Sequence, residues 1–333
     1  MEKHEKIFAA FRREYLEYVP FSLWMHHLEY DDNPVALAER EIEFALEYDV
    51  DILKLNPSGA YTVRDRGAVI DVDRNRIPVA KIKRPAILSQ EDWDRIEKLP
   101  PDKGAYQDRI LCIDYIQKEL DGVFPMMETI FSPLTTARKL RGDEIVKDLI
   151  EIPDRMERVL SIIADETVDY IKRLSLQGVE GIFFATQVAT SDLMEPGLHK
   201  RFGVKYDLSV LDRVRDDLKF IVIHIHGENI MFEHFVDYPH SALSWHVNLT
   251  RPSIREARER YNTVALCGIN RATLWKGTKE DIKREIVNAV KEADGQGIII
   301  GPGCTIPPAA PLENLLFVRD FLRENTTEDI LKA

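Results

Sequence analysis

The sequence has 333 residues, of which 44% are hydrophobic and 31% charged, and its net charge is −12. This composition supports a full hydrophobic core, while the acidic balance argues against binding to nucleic acid or anionic membranes, which need basic patches. With no run of ~20 apolar residues, no apolar signal-peptide core at the start and only three cysteines, we expect a cytoplasmic protein without disulfides.

Short apolar runs alternate with amphipathic helical stretches along the whole chain. Near-continuous apolar runs are typical of strands that are buried on both faces in a parallel sheet. We predict eight such strands, at residues 19–26, 50–56, 122–128, 179–186, 220–226, 241–247, 263–269 and 297–303. Helices are predicted between them, for example at residues 34–48, 135–149, 154–177 and 278–293.

Eight strands alternating with helices predict an α/β fold, a single (β/α)8 TIM-type barrel over residues 1–333. Residues 1–18 are predicted to be a helical N-terminal extension. Residues 57–121 are predicted to be an insertion and crossover after the second strand, with a hairpin within residues 60–85. A doubly wound open sheet is the alternative, but neither G-x-G-x-x-G nor a P-loop motif follows any predicted strand.

Two histidines and a cysteine lie at predicted carboxyl ends of strands, where barrel enzymes place their active sites. In "IHIHGEN" (223–229), His224 and His226 are two residues apart on one strand and therefore point to the same face. Cys304 follows the last strand in "GPGCTIPP". Two imidazoles and one thiolate can form an open zinc site. The alternatives are ordinary hydrogen bonding by the histidines and burial of the cysteine in a rigid turn.

Glu128 and Asn270 are further candidate catalytic residues at strand ends. Glu128 ends the third predicted strand and could orient the substrate or a ligand histidine. Asn270, just past the seventh strand, could donate a hydrogen bond to substrate, or it could serve only as a turn residue.

The loop "GCTIPP" (303–308), continued by "PLEN" (311–314), resembles the uroporphyrinogen decarboxylase superfamily. The closer likeness is to its zinc-dependent methylcobamide:thiol methyltransferases, which have H-x-C on one strand and a distant cysteine in a G-C-x-I-P-P loop. The resemblance implies a zinc ion held by His224, His226 and Cys304. It also makes His246, in "SWH", a candidate fourth ligand or catalytic residue, with a strand-end polar role as the alternative.

The sequence departs from both branches of this superfamily. His226 stands where the methyltransferase branch has a thiolate, which would put less negative charge on the metal. In "PFSLWMHHLEY" (20–30), His26 replaces the first arginine of the decarboxylase motif, and no acidic residue follows Asp51 before Asp65. The arginines of the insertion that could replace the missing cations are Arg64, Arg66, Arg74 and Arg76.

The favoured function is methyl transfer between a corrinoid protein and a small thiol, ether or amine, with about one zinc ion per chain. The alternatives are a metal-free decarboxylase of a tetrapyrrole or another carboxylated substrate, and a binding protein that kept the barrel without the chemistry. We expect the corrinoid to ride on a separate partner protein, with neither nucleic acid nor membrane as a partner and a homodimer as one allowed assembly.

Overall fold

The structure, a computed structural model, describes residues 1–72 and 80–333 of the chain. Its strands are β1 (Leu53–Leu55), β2 (Val69–Val72), β3 (Ala80–Arg84), β4 (Met126–Phe131), β5 (Gly181–Thr186), β6 (Phe220–Ile225), β7 (Ala242–Trp245), β8 (Ala265–Ile269) and β9 (Ile298–Pro302). Its α-helices are α1 (Lys3–Phe11), α2 (Pro34–Tyr48), α3 (Tyr61–Arg64), α4 (Gly104–Leu120), α5 (Pro133–Arg141), α6 (Ile145–Glu151), α7 (Pro153–Leu176), α8 (Pro196–His199), α9 (Lys205–Val214), α10 (Ile254–Tyr261), α11 (Arg271–Lys276), α12 (Lys279–Glu292), α13 (Leu312–Glu324) and α14 (Thr327–Lys332).

Seven parallel strands form one curled sheet in the order β1-β4-β5-β6-β7-β8-β9. The strands are buried along their whole length, which explains why they read as continuous apolar runs. Helices follow most of the strands and cover the sheet, so the fold is the predicted α/β, TIM-like arrangement. Seven of the eight predicted strands are present.

The prediction of a first strand at residues 19–26 is wrong, because this segment makes only isolated bridges. It is extended and lies between the two edges of the sheet. On one side, Phe21 forms a bridge to Ile300 of β9. On the other, the carbonyl of Phe21 accepts a 2.9 Å hydrogen bond from the backbone N–H of Asp51, just before β1. Pro20 has no N–H to donate and offers only its carbonyl, to Ile300 at 2.8 Å. The segment therefore closes the barrel without forming a regular strand.

Residues 57–121, predicted to be an insertion and crossover, contain α3, α4 and the antiparallel pair of β2 and β3, and both of these strands fall within residues 60–85. Of the four arginines considered as replacement cations, Arg64 pairs with Asp108, and Arg66 pairs with the buried Glu166. Arg74 and Arg76 lie outside the described residues.

The amino end of the barrel holds a structural ion-pair group. Asp51 is buried and accepts from Lys6 Nζ at 3.1 Å and from Arg323 Nη2 at 2.9 Å, which ties α1 and α13 to the start of β1. This end is the opposite one from the strand termini where active sites of barrels lie. Among the described residues, no helix is both long and apolar enough to cross a membrane.

Candidate metal centre

Three histidines and one cysteine meet at the carboxyl ends of the strands. His224 lies on β6, His226 follows that strand, His246 follows β7, and Cys304 follows β9. One ligand atom from each residue lies within 4.8 Å of those of the other three. His226 Nδ1 is 3.2 Å from His246 Nε2 and 3.5 Å from Cys304 Sγ. We call these four residues the His3Cys cluster.

The local fold explains why these side chains converge. His224 and His226 share one face because side chains alternate along a strand. The loop that carries Cys304 approaches His246 closely, because Gly303 has no side chain. A Cβ atom there would lie 3.2 Å from His246 Cα and 3.3 Å from the carbonyl oxygen of Trp245. Glycine at this position therefore lets the thiol come within reach of the three imidazoles.

The orientation of His224 is fixed by its neighbours. Its Nδ1 lies 3.1 Å from Ser244 Oγ, and its ring stacks on Phe183 with 4.9 Å between ring centroids. Nε2 is therefore the nitrogen left for the cluster. Burial lowers the pKa of His224 to about 4, against an opposing effect of Cys304, so the imidazole is neutral at pH 7, as a metal ligand must be.

We expect Ser244→Ala to weaken zinc binding about tenfold, because the hydrogen bond that orients a ligand histidine would be lost. The matched control is Ser22→Ala. It also removes a buried hydroxyl, but that hydroxyl donates to the carbonyl of Ile52, outside the cluster. Competition with a chromophoric chelator measures both affinities. Equal zinc affinities for the two variants would contradict an orienting role of Ser244.

Cys304 differs chemically from the other two cysteines. Burial acts to raise the pKa of its thiol, but hydrogen bonds with His224, His226 and His246 outweigh that effect and hold the pKa well below its ordinary value. Burial instead raises the pKa of Cys112 to about 12 and also raises that of Cys267. Cys304 is thus the cysteine poised to act as a thiolate.

The cluster fits zinc by both chemistry and spacing. Neutral imidazoles and one thiolate are the donors that Zn²⁺ takes in proteins. With Zn–N and Zn–S lengths of ~2.0–2.1 Å and ~2.3 Å, the donors of a tetrahedral site lie roughly 3.3–3.6 Å apart. The separations of 3.2 and 3.5 Å at His226 Nδ1 match these edges. The three predicted ligands are brought together, and His246 joins them.

A cavity of about 500 Å³ adjoins the cluster. His226 and Cys304 line it, whereas His224 and His246 do not. The other polar residues of the cavity wall include His26, Lys139, Gln187, Arg271 and Thr305, and Trp275 adds an indole ring. A small molecule in this space would therefore meet the cluster on the side of His226 and Cys304.

Comparison with known proteins places the chain in a family. Residues 3–325 match the family described as Uroporphyrinogen decarboxylase (URO-D). The chain belongs to the uroporphyrinogen decarboxylase family. This confirms the predicted superfamily, whose members named below are enzymes.

Relatives from both branches of the family are found. A uroporphyrinogen decarboxylase from Synechococcus sp. (strain JA-2-3B'a(2-13)) is 21% identical over 256 residues, which are 72% of this chain and 70% of that protein. The methylcobamide:CoM methyltransferase MtaA from Methanosarcina barkeri is 26% identical over 213 residues, 61% of this chain and 59% of that protein.

Solved structures share the fold over nearly the whole chain. A methyltransferase from Methanosarcina mazei superposes with a TM-score of 0.80 at 21% identity and covers 97% of this chain and 99% of that one. A B12-independent methionine synthase from Shewanella sp. W3-18-1 has a TM-score of 0.58 at 15% identity, with 92% and 94% covered. The likeness shows that this member of the family has the architecture of these enzymes.

The other two candidate catalytic residues have structural partners. Glu128, on β4, is fully buried and accepts from Arg109 Nε at 3.0 Å and Nη2 at 2.8 Å. Asn270 caps α11 through a 2.9 Å hydrogen bond from the backbone of Ala272 to its Oδ1. Among the described residues, no hydrogen bond joins either side chain to the His3Cys cluster.

Two lysines near the cavity, Lys139 and Lys54, were not among the site residues predicted from the sequence. Lys139 is held by a 2.7 Å hydrogen bond to Gln187 Oε1, and its Nζ lies 4.3 Å from the centroid of the Phe131 ring. Burial lowers the pKa of Lys139 to about 8. Lys54 is buried inside the barrel on β1. A lysine within the apolar run "DILKLN" is the signal that could have identified it.

Proposed function

We propose that the chain is a zinc-dependent methyltransferase that moves a methyl group between a corrinoid protein and a small thiol, ether or amine. The observation that carries this proposal is the His3Cys cluster bordering the cavity through His226 and Cys304. The similarity to MtaA, whose name gives a methylcobamide and CoM as its reactants, supports it. We place the corrinoid on a separate protein.

The residues of the site divide the work between holding a metal and holding a substrate. His224, His226, His246 and Cys304 would hold zinc, which when bound supplies a Lewis acid and lowers the pKa of a coordinating thiol. Neutral His224 and the low-pKa thiol of Cys304 need little or no deprotonation to bind a metal at neutral pH.

The cavity wall favours a substrate that carries an anionic group. Among the described residues, neither Lys139 nor Arg271 has a carboxylate within ion-pair distance, although both line the cavity. An anionic substituent would offset both charges while the reacting heteroatom lies toward His226 and Cys304. In this proposal the side chains of Lys139 and Arg271 bind and orient the substrate, and the His3Cys cluster activates its reacting heteroatom.

The metal-free decarboxylase is less well supported by the same observations. That reaction needs several cations at the cavity to hold a polycarboxylate, but Arg64 and Arg66 are already paired with carboxylates, which leaves Lys139 and Arg271 of the cavity lining. Asp51, after which no acidic residue comes before Asp65 in the sequence, is bound to Lys6 and Arg323 at the amino end of the barrel.

The direct test of the proposed function is an assay of methyl transfer from free methylcobalamin to a small thiol by the zinc-loaded protein. We expect turnover that chelator abolishes and added zinc restores. Uroporphyrinogen is the control substrate, and we expect it to be unchanged. Decarboxylation of uroporphyrinogen that survives chelator, without methyl transfer, would contradict the proposal and support the decarboxylase.

We expect His226→Cys, which restores an H-x-C pattern, to retain zinc and to make a bound thiol more basic. A second thiolate adds negative charge, so less positive charge remains to stabilise the thiolate of the substrate. In Co²⁺-substituted protein, the absorption that appears when the added substrate thiol binds as a thiolate should have a higher pH midpoint than in the wild type. His4→Cys adds a thiol outside the cluster and should leave the midpoint unchanged. If the midpoint of His226→Cys is the same as that of the wild type and of His4→Cys, this result would argue against His226 as a ligand.

A further inference from the structure

A chain of buried polar side chains leads from the interior of the barrel to the cavity. Its members are Lys54 and Asn56 around β1, Thr129 on β4, and His26 at the end of the segment that closes the barrel. His26 lines the cavity together with His226 and Cys304. The direction of each hydrogen bond in this chain can be worked out from the donors and acceptors available.

The chain begins at Thr129, whose role fixes that of Lys54. Thr129 Oγ1 donates its one hydrogen to the carbonyl of Leu55 at 2.7 Å, so it can only accept from Lys54 Nζ at 2.9 Å. Lys54 donates a second hydrogen to Asn56 Oδ1 at 2.7 Å. Two hydrogens are present on both the ammonium and the neutral amine, so this arrangement holds in either protonation state of Lys54.

The orientation of the Asn56 amide determines whether His26 Nδ1 donates or accepts a hydrogen bond. Because Oδ1 accepts from Lys54, Nδ2 faces His26 Nδ1 at 3.1 Å and Thr305 Oγ1 at 3.5 Å. Amide nitrogen only donates, so Nδ1 of His26 must accept. The longer, 3.3 Å separation between His26 Nδ1 and the carbonyl oxygen of Asn56 would need a hydrogen on Nδ1 and is incompatible with that contact.

The remaining nitrogen of His26 then carries the proton. Burial lowers the pKa of His26 to about 4, with a further contribution from the nearby Lys54, so the ring is neutral at pH 7. A neutral imidazole has one N–H, and with Nδ1 accepting, that N–H is on Nε2. Among the described residues, His26 Nε2 has no hydrogen-bond partner, although the residue lines the cavity.

We propose that His26 contacts the substrate, donating a hydrogen bond from Nε2–H to a substrate oxygen, and that Lys54 and Asn56 are positioning residues that fix this tautomer. The inference rests on the proposed function, because it assumes that the substrate occupies the cavity beside the His3Cys cluster. It also accounts for Lys54, which is buried between the rings of Trp24 and Phe183 without a carboxylate partner among the described residues. An apolar side chain there would avoid the cost of burying an amine.

The tautomer of His26 is tested first, by ¹⁵N NMR of zinc-loaded protein with labelled histidine. His26→Gln, which removes the signal, provides the assignment. We expect the hydrogen on Nε2 in the wild type. In Asn56→Asp, a carboxylate faces Nδ1, so we expect the hydrogen to move to Nδ1 with the zinc content unchanged. A hydrogen on Nδ1 in the wild type would overturn the inference.

The substrate contact is tested with two probes of equal chain length, 3-mercaptopropionate and 1-propanethiol. Binding is followed by the visible spectrum of Co²⁺-substituted protein. We expect His26→Ala to weaken 3-mercaptopropionate about tenfold or more, the worth of a hydrogen bond to a charged group, and to leave 1-propanethiol unaffected. His26→Gln, whose amide nitrogen can replace Nε2–H, should restore most of the loss.

The outcomes separate this inference from the proposed function. If His26→Ala prefers 3-mercaptopropionate over 1-propanethiol as strongly as the wild type does, the substrate contact is contradicted and the proposed function is not. A cobalt spectrum that neither thiol changes in the wild type contradicts the proposed function, and the contact with it. If the hydrogen of His26 moves to Nδ1 in Asn56→Asp but the preference for 3-mercaptopropionate is retained, the positioning role of Asn56 is contradicted.

Discussion

Replacement of Cys304 by alanine is expected to lower the zinc content from about one ion per chain to a small fraction of that. Cys304 is the only thiol among the four converging side chains, and without it only three imidazoles remain. The donor lost is the one that brings negative charge to the metal, so we expect zinc affinity to fall by at least about two orders of magnitude. Elemental analysis of protein purified without added zinc measures the content directly.

Cys267→Ala is the matched control for this variant. It also removes a cysteine thiol, but one that is fully buried on β8 and whose pKa burial raises. It should keep the wild-type zinc content. Wild-type protein without stoichiometric zinc, or a Cys304→Ala protein that holds as much zinc as the wild type, would overturn the assignment of the metal centre.

Much of the fold could be predicted because buried parallel strands and amphipathic helices have distinct patterns. The prediction of a helix at 34–48 coincides with α2 at both ends, where Asn33 caps the start. Other boundaries moved for local reasons. The predicted helix at 135–149 is divided into α5 and α6 at Gly142, which has a φ of 76°. Strand β4 begins four residues later than predicted, after the αL residue Asp121 ends α4.

The site could be predicted only in part, because it depends on distances across the barrel. The spacing of His224 and His226 is visible in the sequence, and the loop around Cys304 has a distinctive motif. The place of His246 in the cluster depends on the pairing of β6 with β7 and on the close approach allowed by Gly303. Neither is a property of a short segment, so the sequence left two roles open for His246.

Contacts between polar side chains were still less predictable. Glu128 ended the third predicted strand, which made it a candidate for the site, but in the structure it lies within β4. Its partner, Arg109, lies on α4 in the insertion, and nothing in the spacing of these residues indicates that they meet. The structure instead places Glu128 in a buried ion pair, and this yields a prediction about stability.

Arg109→Met is expected to lower the free energy of unfolding by about 3–5 kcal/mol, because it leaves Glu128 buried without its cation. A further replacement, Glu128→Leu in the same chain, should recover much of the loss, since no uncompensated charge would then remain. Urea unfolding of the zinc-loaded proteins measures both effects. Lys332→Ala breaks an exposed pair with Glu328 and should leave stability nearly unchanged.

The pH dependence of the Arg109→Met protein separates this structural role from general damage to the fold. Burial already raises the pKa of Glu128 although Arg109 opposes it, so removing the arginine should raise that pKa further. A carboxyl group whose pKa is higher in the folded than in the unfolded state destabilises the fold increasingly as pH rises through the folded value. The deficit against wild type should therefore shrink as the pH falls below that value. A deficit that is constant with pH would show that charge burial is not its cause, and a parallel loss of zinc would tie Glu128 to the metal centre instead.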